Sequence, residues 1–270
     1  MKISANHESK ISNEMLEIPQ WQPDRFFKKV LKEYGSFTSI ITGARMSGKS
    51  NMVKFLLTSH FGGCLRDKFD MIVIFSKTIL NGHYQNFLST KLLFEKYDPA
   101  VIETLKKIHF ERKKRGLDFK FLVIFDDMAT HMKWDESITD FFYNSRHYKG
   151  SIFFLTQKYS EASTNWRNNT MLTIILQGAR RKEKLYAAKE AIVDGIEPLL
   201  PDDYPEAKME KIASLLQTKL LVEYNAIIIT PFCKRKIKQF RAPLAKTPKK
   251  QLIKNEIFVD KNIESLKNNE

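Results

Sequence analysis

The chain has 270 residues, of which 43% are hydrophobic and 12% aromatic. This length suits one large domain, and the apolar fraction is enough for a substantial core, so a long multidomain machine and a wholly disordered chain are both excluded. The 45 Lys and Arg against 31 Asp and Glu give a formal net charge of +14, which favours polyanionic partners such as nucleic acid, nucleotides or a membrane surface.

Simple counts exclude several further classes of protein. The longest purely apolar runs have five residues or fewer, whereas a membrane-spanning helix needs about 20. The first fifteen residues contain no apolar signal-peptide core, so we expect an intracellular protein without an integral membrane segment. The two cysteines, Cys64 and Cys233, are far apart in the chain, which disfavours a disulfide framework and a structural zinc site.

The first predicted elements surround a glycine-containing loop. Pro23-Asp24 offers a turn and a helix N-cap ahead of the amphipathic segment 25–31. Ser36–Thr42 has the composition of a strand, and the segment NMVKFLL, which begins at Asn51, has helical content. The order is therefore strand, loop, helix.

Apolar runs later in the chain predict four more strands, Met71–Phe75, Phe121–Phe125, Ser151–Leu155 and Met171–Leu176. Stretches with helical spacing lie between and after these runs, at residues 98–110, 137–148, 181–193 and 206–216. Ala226–Thr230 and Lys236–Arg241 are predicted to pair at the margin of the sheet. Near-continuous apolar runs that alternate with helices are typical of an α/β fold with a mostly parallel central sheet flanked by helices.

The loop after the first strand matches the phosphate-binding pattern G-x-x-x-x-G-K-[ST]. It consists of Gly43, Ala44, Arg45, Met46, Ser47, Gly48, Lys49 and Ser50. Glycines let the backbone wrap around a phosphate, so that N–H groups at the start of the helix bind the anion. Lys49 is predicted to reach the β- and γ-phosphates of ATP, and the Ser50 hydroxyl to ligate Mg²⁺. A surface glycine loop with a solvated lysine is the disfavoured alternative, because a strand precedes the match and a helix follows it.

This motif suggests a division of the chain into three parts. Residues 1–35 are predicted to form an N-terminal extension with a short helix, and residues 36–241 a P-loop ATPase domain. Apolar residues thin out over residues 242–270, so we expect a basic, flexible tail there.

Two carboxylates follow the strand predicted at Phe121–Phe125. Ligands bind at the carboxyl ends of strands in open α/β sheets, and Asp126 and Asp127 would lie there. We predict that Asp126 binds Mg²⁺ through coordinated water and that Asp127 orients or deprotonates the attacking water. An N-cap for the following turn is the alternative role for Asp127.

Two more candidate catalytic residues flank the strand predicted at Ser151–Leu155. Gln157 follows its carboxyl end, where an amide can hydrogen-bond the γ-phosphate or the water and so report hydrolysis. Arg146 precedes the other end and is predicted to reach a neighbouring subunit's nucleotide as an arginine finger, which contributes about 10³ to 10⁵ in rate. The alternatives are an ordinary loop residue for Gln157 and a surface arginine lying over the sheet for Arg146.

The order of these motifs resembles that of a known family. GARMSGKS, FLVIFDD, the N-S-R-H stretch before SIFFLTQ, and WRNN occur in the order found in the poxvirus-type genome-packaging ATPases. Those proteins belong to the FtsK-HerA superfamily of P-loop motors and also occur in giant viruses, virophages and related transposons. The resemblance covers residues 36–177, with a weaker echo near Cys233.

The resemblance implies a RecA-like fold and a homo-oligomeric ring, a hexamer or pentamer, that uses ATP to push double-stranded DNA into a preformed capsid. It implies the catalytic-acid place for Asp127, although the superfamily usually has Glu there, and the sensor place for Gln157. Arg146 takes the place of the arginine finger, with Arg167 as a second candidate. Capsid or portal-vertex proteins would be further partners. A viral motor of this kind would act in the host cytoplasm or in the virion, and a KKRG run typical of nuclear-localisation signals leaves the nucleus open.

The positive charge is concentrated in three clusters, Lys106, Lys107 and Arg112–Arg115, then Arg180–Lys184, then the basic residues between Lys234 and Lys254. Such clusters are either solvated surface or, in a motor that moves DNA of any sequence, salt-sensitive contacts with phosphate. Two alternatives to a packaging motor stay open. A P-loop helicase or DNA-transfer ATPase would separate strands, and a nucleotide-regulated scaffold would recruit a partner with little turnover.

Overall fold

The computed structural model describes residues 18–58, 65, 67–78, 84, 92–132, 135–177, 186, 188–193, 206–220, 225–230 and 237–241. The tail predicted at 242–270, the basic residues 180–184 and most of those between 234 and 254 lie outside these ranges. Among the helices within them, none combines the length and the apolar character that crossing a bilayer requires.

The strands of the described chain are β1 Thr38–Thr42, β2 Met71–Ser76, β3 Leu93–Phe94, β4 Phe121–Asp126, β5 Gly150–Thr156, β6 Leu172–Ile175, β7 Asn225–Ile229 and β8 Ile237–Arg241. They form one sheet in the order β3-β2-β4-β5-β1-β6-β7-β8. Strands β1 to β6 pair in parallel, and antiparallel pairing begins where β7 joins β6 and continues to β8. The predicted parallel sheet with a strand pair at its margin is therefore confirmed.

The helices of the described chain are α1 Pro23–Glu33, α2 Lys49–Thr58, α3 Pro99–Lys114, α4 Ala129–Met132, α5 Glu136–Asn144, α6 Thr164–Asn168 and α7 Glu206–Leu220. A 3₁₀ turn at Tyr159–Glu161 precedes α6, and a π-helical turn occupies Ala188–Ile192. Asp98 and Asp135 cap α3 and α5, because their carboxylates accept hydrogen bonds from the backbone of Ala100 and Ile138.

The sheet separates two apolar clusters. One joins helices α1 and α2 to the sheet and includes Phe27, Leu56 and Ile74. The other joins α3 and α5 to the opposite face and includes Leu105 and Val73. Neighbouring residues of one strand, such as Val73 and Ile74, thus belong to opposite clusters, as the two-residue period of a strand requires. All residues of β1, β2, β4 and β5 are buried, which positions their carboxyl ends rigidly.

The first helix starts earlier than predicted. It begins at Pro23 with Gln22 in the N-cap position, so the prediction of a cap at Asp24 is wrong, and Asp24 lies in the first turn. Proline suits that first position because its φ is already helical and the N–H it lacks would have no helical partner. The preceding Trp21 donates its backbone N–H to the carbonyl of Gln239 at 2.8 Å, which ties the start of α1 to strand β8.

Candidate functional site

The phosphate-binding loop lies between the carboxyl end of β1 and the start of α2. Backbone hydrogen bonds hold its first two residues, from Gly43 N to Thr156 O at 3.2 Å and from Ala44 N to Gln177 O at 2.7 Å. A Cβ atom at Gly43 would lie 2.5 Å from the Ser47 hydroxyl oxygen, so the close approach requires glycine. Met46 has a φ of 63°, which is costly for a residue with a side chain and typical of a loop shaped for a ligand.

Lys49 is the buried cation of this loop. It is 7% exposed, and its ammonium donates hydrogen bonds to the carbonyl oxygens of Gly43 at 2.9 Å and Ala44 at 3.1 Å. Burial lowers the pKa of Lys49, and the more distant carboxylates of Asp127, Asp126 and Glu161 oppose that shift. The ammonium is thus desolvated beside neutral acceptors, which suits a site that receives an anion.

Ser50 and Asp126 are in contact at the carboxyl end of the parallel strands. The Ser50 hydroxyl donates to Asp126 Oδ2 at 3.2 Å, and Asp126 is 6% exposed. Burial raises the pKa of Asp126, and its hydrogen bonds oppose the rise. A hydroxyl that donates its hydrogen to a carboxylate keeps its oxygen lone pairs for a cation, so this donor set fits Mg²⁺. Among the described residues no cluster of three or more His, Cys, Asp or Glu could hold a metal ion.

Asp127 and Gln157 are joined directly. Gln157 Nε2 donates to Asp127 Oδ2 at 3.0 Å, across the ends of the neighbouring strands β4 and β5. Asp127 has a φ of 56°, and its N–H donates to the carbonyl of Leu155 at 3.1 Å. This left-handed conformation is costly for a residue other than glycine and is concentrated at functional sites. It turns Asp127 away from the strand direction that Asp126 continues.

Three polar residues of this edge were not predicted. The Tyr84 hydroxyl donates to Asp126 Oδ2 at 2.7 Å, and burial raises the pKa of Tyr84 well above its ordinary value. The Thr156 hydroxyl donates to the Glu161 carboxylate. Thr156 could have been found, because it is the last residue of a strand that ends beside Gln157. Tyr84 and Glu161 carry no comparable signal, since nothing in their neighbouring residues points to the sheet edge.

The two arginine-finger candidates differ in their surroundings. Arg146 lies far from this cluster, and Arg167 is bonded to residues of its own chain. Arg146 is exposed and precedes the amino end of β5, so a seven-residue strand, about 20 Å long, separates it from the sheet edge of its own chain that carries Lys49. Arg167 donates to the carbonyl of Ala162 at 2.6 Å and lies 3.8 Å from Glu190. The structure therefore brings Lys49, Ser50, Asp126, Asp127 and Gln157 together. Arg146 lies at the other end of β5, and Arg167 is held by Ala162 and Glu190.

The sequence places this fold and site in a viral family. The sequence profile of the Poxvirus A32 protein family matches residues 24–180, which is more than half of the chain. The chain belongs to this family. The predicted resemblance to the poxvirus-type packaging ATPases is thereby confirmed. No curated protein sequence matches the chain significantly.

Solved structures of P-loop ATPases share the fold. B204, the DNA-packaging ATPase from Sulfolobus turreted icosahedral virus, is 18% identical, with a TM-score of 0.53 over 77% of this chain and 98% of that one. The genome-packaging NTPase B204 from Sulfolobus turreted icosahedral virus 2, in complex with AMP, is 17% identical, with a TM-score of 0.54 over 78% and 99%. The cytoplasmic domain of the type VII secretion ATPase EccC from Thermomonospora curvata is 8% identical, with a TM-score of 0.50 over 79% and 26%. The predicted P-loop fold is therefore confirmed.

Proposed function

We propose that this chain is a magnesium-dependent ATP hydrolase that moves double-stranded DNA into a preformed viral capsid. Membership of the A32 family and the fold shared with B204 support this proposal. The observation that carries it is the convergence at one sheet edge of a buried lysine, a serine–aspartate pair and an aspartate–glutamine pair, with hydrogen bonds of 3.2 Å and 3.0 Å within the pairs.

In the proposed complex the loop Gly43–Ser50 binds the phosphates of ATP. The ammonium of Lys49 exchanges its two carbonyl partners for β- and γ-phosphate oxygens, which favours binding because a desolvated cation gains an anion. Ser50 and Asp126 would hold Mg²⁺, which would neutralise negative charge that develops on the phosphates. The residues of the loop bind and orient, so they supply positioning more than covalent chemistry.

Hydrolysis is assigned to the Asp127–Gln157 pair. Asp127 orients the attacking water and accepts its proton, and Gln157 responds to the γ-phosphate. In the structure the Gln157 amide is bonded to Asp127, so an arriving γ-phosphate competes for the same donor. Release of Asp127 to the water would then depend on the presence of ATP, which couples nucleotide binding to hydrolysis.

The Asp127→Asn variant tests the enzymatic part of the proposal. We expect kcat for ATP hydrolysis to fall about 100-fold or more, with little change in nucleotide affinity, because an amide cannot accept the proton of the water. Asp118→Asn is the matched control, since Asp118 pairs with Lys149 at the opposite sheet edge. Equal hydrolysis by wild type and Asp127→Asn would refute the assigned role.

The proposed contact with DNA uses the basic end of α3. Lys113, Lys114 and Arg115 are exposed there, whereas Lys106 of the same sequence cluster is buried and paired with carboxylates. Each phosphate contact contributes about 0.9 to the slope of log affinity against log salt. Replacing the three exposed residues with Gln should therefore lower that slope by about two to three units, measured by fluorescence anisotropy with duplexes of unrelated sequence. An unchanged slope would place the DNA contact elsewhere.

Two assays separate a packaging motor from the alternatives. A duplex translocase displaces a triplex-forming strand without separating the duplex, whereas a helicase releases one strand of it. ATP-dependent triplex displacement without strand separation is expected. A nucleotide-regulated scaffold would keep its function in the Asp127→Asn variant, whereas a motor would leave capsids without DNA.

In the proposed ring, one subunit completes the site of its neighbour with an arginine. Arg146 is the favoured finger, because it is exposed and Arg167 is held by its own chain. Mixing Arg146→Ala subunits with Lys49→Ala subunits should restore part of the hydrolysis that each lacks alone, since mixed interfaces contain one intact pair. Absence of rescue in mixed assemblies, with oligomer size unchanged, would make Arg146 structural. The proposal also includes capsid or portal-vertex proteins as partners, and it places the activity in the infected cell or the virion.

A further inference from the structure

Tyr84 lies directly behind the proposed magnesium site. Its ring is 1% exposed and belongs to the apolar cluster on the α1 and α2 side of the sheet. Its hydroxyl emerges from that cluster and donates to Asp126 Oδ2 at 2.7 Å. The contact joins residues 42 positions apart, so it is formed by the tertiary fold and not by local chain geometry.

The two hydroxyl donors to Asp126 differ in what else they do. Ser50 donates at 3.2 Å and Tyr84 at 2.7 Å, and both bonds end on Oδ2. Ser50 belongs to the loop that is proposed to receive ATP and Mg²⁺, so its hydroxyl would also contact the ligand. Tyr84 is fixed by apolar packing, so its bond defines where the Asp126 carboxylate lies before any ligand arrives.

We propose that Tyr84 is a positioning residue that sets the orientation of Asp126 for magnesium binding. This inference rests on the proposed binding of Mg–ATP at the same site. Because Ser50 and Tyr84 both donate to Oδ2, the second carboxylate oxygen, Oδ1, takes part in neither bond and is the oxygen proposed to contact the metal or its coordinated water. Without the hydroxyl, a buried carboxylate would have Ser50 as the remaining donor of this pair and could rotate about its last side-chain bond.

The test measures magnesium binding without hydrolysis. A fluorescent ADP analogue is titrated onto the full chain at increasing Mg²⁺ concentrations and again in EDTA. Loss of a group that orients a metal ligand typically weakens metal binding about 10- to 100-fold. We therefore expect Tyr84→Phe to raise the Mg²⁺ concentration for half-maximal effect at least about 10-fold, with ADP affinity in EDTA unchanged.

The matched control removes a tyrosine hydroxyl on the other side of the sheet. Tyr97 packs against Phe75 and Phe125 in the α3 and α5 cluster. Tyr97→Phe should leave the Mg²⁺ midpoint within about twofold of wild type. A double-variant cycle provides the second check, because Tyr84→Phe should have almost no further effect in an Asp126→Asn background if Tyr84 acts through that carboxylate.

Several outcomes would overturn the inference. An unchanged Mg²⁺ midpoint in Tyr84→Phe would do so, and so would an equal loss of ADP affinity in EDTA, which would indicate a general packing role. Additive effects in the cycle would show that Tyr84 acts elsewhere. If wild type binds no ADP with or without Mg²⁺, the nucleotide site itself is wrong and the role of Tyr84 fails with it. Should Tyr84→Phe not fold, Tyr84→Met fills similar space without a donor and replaces it in every arm.

Discussion

Two lysines of the protein are buried, but they have different hydrogen-bond partners. Lys49, at the carboxyl edge of the sheet, is 7% exposed and donates to two backbone carbonyls, and burial lowers its pKa. Lys106, on α3, is 6% exposed and donates to Glu103 at 2.9 Å and Asp140 at 2.7 Å. Burial alone would lower the pKa of Lys106, but these hydrogen bonds outweigh it and raise the pKa.

The difference separates a proposed anion-binding site from a structural ion pair. The Lys49 ammonium contacts neutral acceptors and has carboxylates only farther away, and these do not make up for its lost hydration, so it destabilises the empty fold and favours an arriving anion. A cation buried between two carboxylates is already neutralised, so it attracts an anionic ligand only weakly. Two lysines of equal burial thus point to different functions, and their partners distinguish them where exposure does not.

The largest effect is expected from Lys49→Met. ATP hydrolysis should fall at least about 100-fold, because the main positive charge toward the γ-phosphate is lost. Stability should stay equal or rise, since a folded-state pKa below the ordinary lysine value means that the protonated side chain opposes folding. A coupled ATPase assay and urea unfolding measure the two results. A marked loss of stability in Lys49→Met would erase the distinction between the two lysines.

Lys106→Met should show the reverse pattern. The free energy of unfolding should fall by about 2 kcal/mol, less than for a fully buried pair, because the side chains of Glu103 and Asp140 are 47% and 39% exposed. ATP hydrolysis should stay within about twofold of wild type. Lys107→Met, at the exposed neighbour, is the matched control and should change neither quantity. A large loss of hydrolysis with full stability would give Lys106 a functional role.

An intermediate effect is expected from removing the side-chain amide that donates to a carboxylate in each of the two regions. Gln157 donates to Asp127 at 3.0 Å, and Asn144 donates to Asp140 at 2.6 Å. Gln157→Ala should lower kcat about 10-fold with little change in stability, because it removes the group proposed to sense the γ-phosphate. Asn144→Ala should lower stability by about 1 kcal/mol and leave kcat unchanged. Steady-state kinetics and urea unfolding on both variants measure these effects. A loss of kcat in Asn144→Ala, or a loss of stability in Gln157→Ala, would contradict the two assignments.

The sequence was sufficient to place the candidate site residues at one end of the sheet because its signals are local. Lys49, Asp126 and Gln157 each follow an apolar strand, and parallel strands bring their carboxyl ends to one edge whatever the details of packing. The short elements β3, α4 and α6 escaped prediction because, at two to five residues each, they are too short to show a period.

The sequence was insufficient where a role depends on a distant partner. Lys106 stands next to Lys107 and looks like part of a basic surface, yet Asp140, 34 residues later, neutralises it. Tyr84 lies 42 residues from Asp126, and no spacing rule links the two. Such contacts are set by how helices and loops pack onto the sheet, which the pattern of one segment does not contain.

The smallest expected effect concerns pH and the structural pair. Burial alone would raise the pKa of Asp140, but hydrogen bonds from Lys106 and Asn144 lower it below the ordinary value. A carboxyl with a lowered folded-state pKa stabilises the protein above its unfolded pKa of about 3.9, and this stabilisation is lost as pH falls through the folded-state pKa. The free energy of unfolding at pH 7 should therefore be higher for wild type than for Asp140→Asn, but by less than about 1 kcal/mol, because the pair is partly exposed. Urea unfolding from pH 7 to pH 2 should show the two curves converging at the acidic end. A constant difference across that range would mean that Asp140 acts through packing, and the contrast between a neutralised and a receptive lysine would then rest on Lys49 alone.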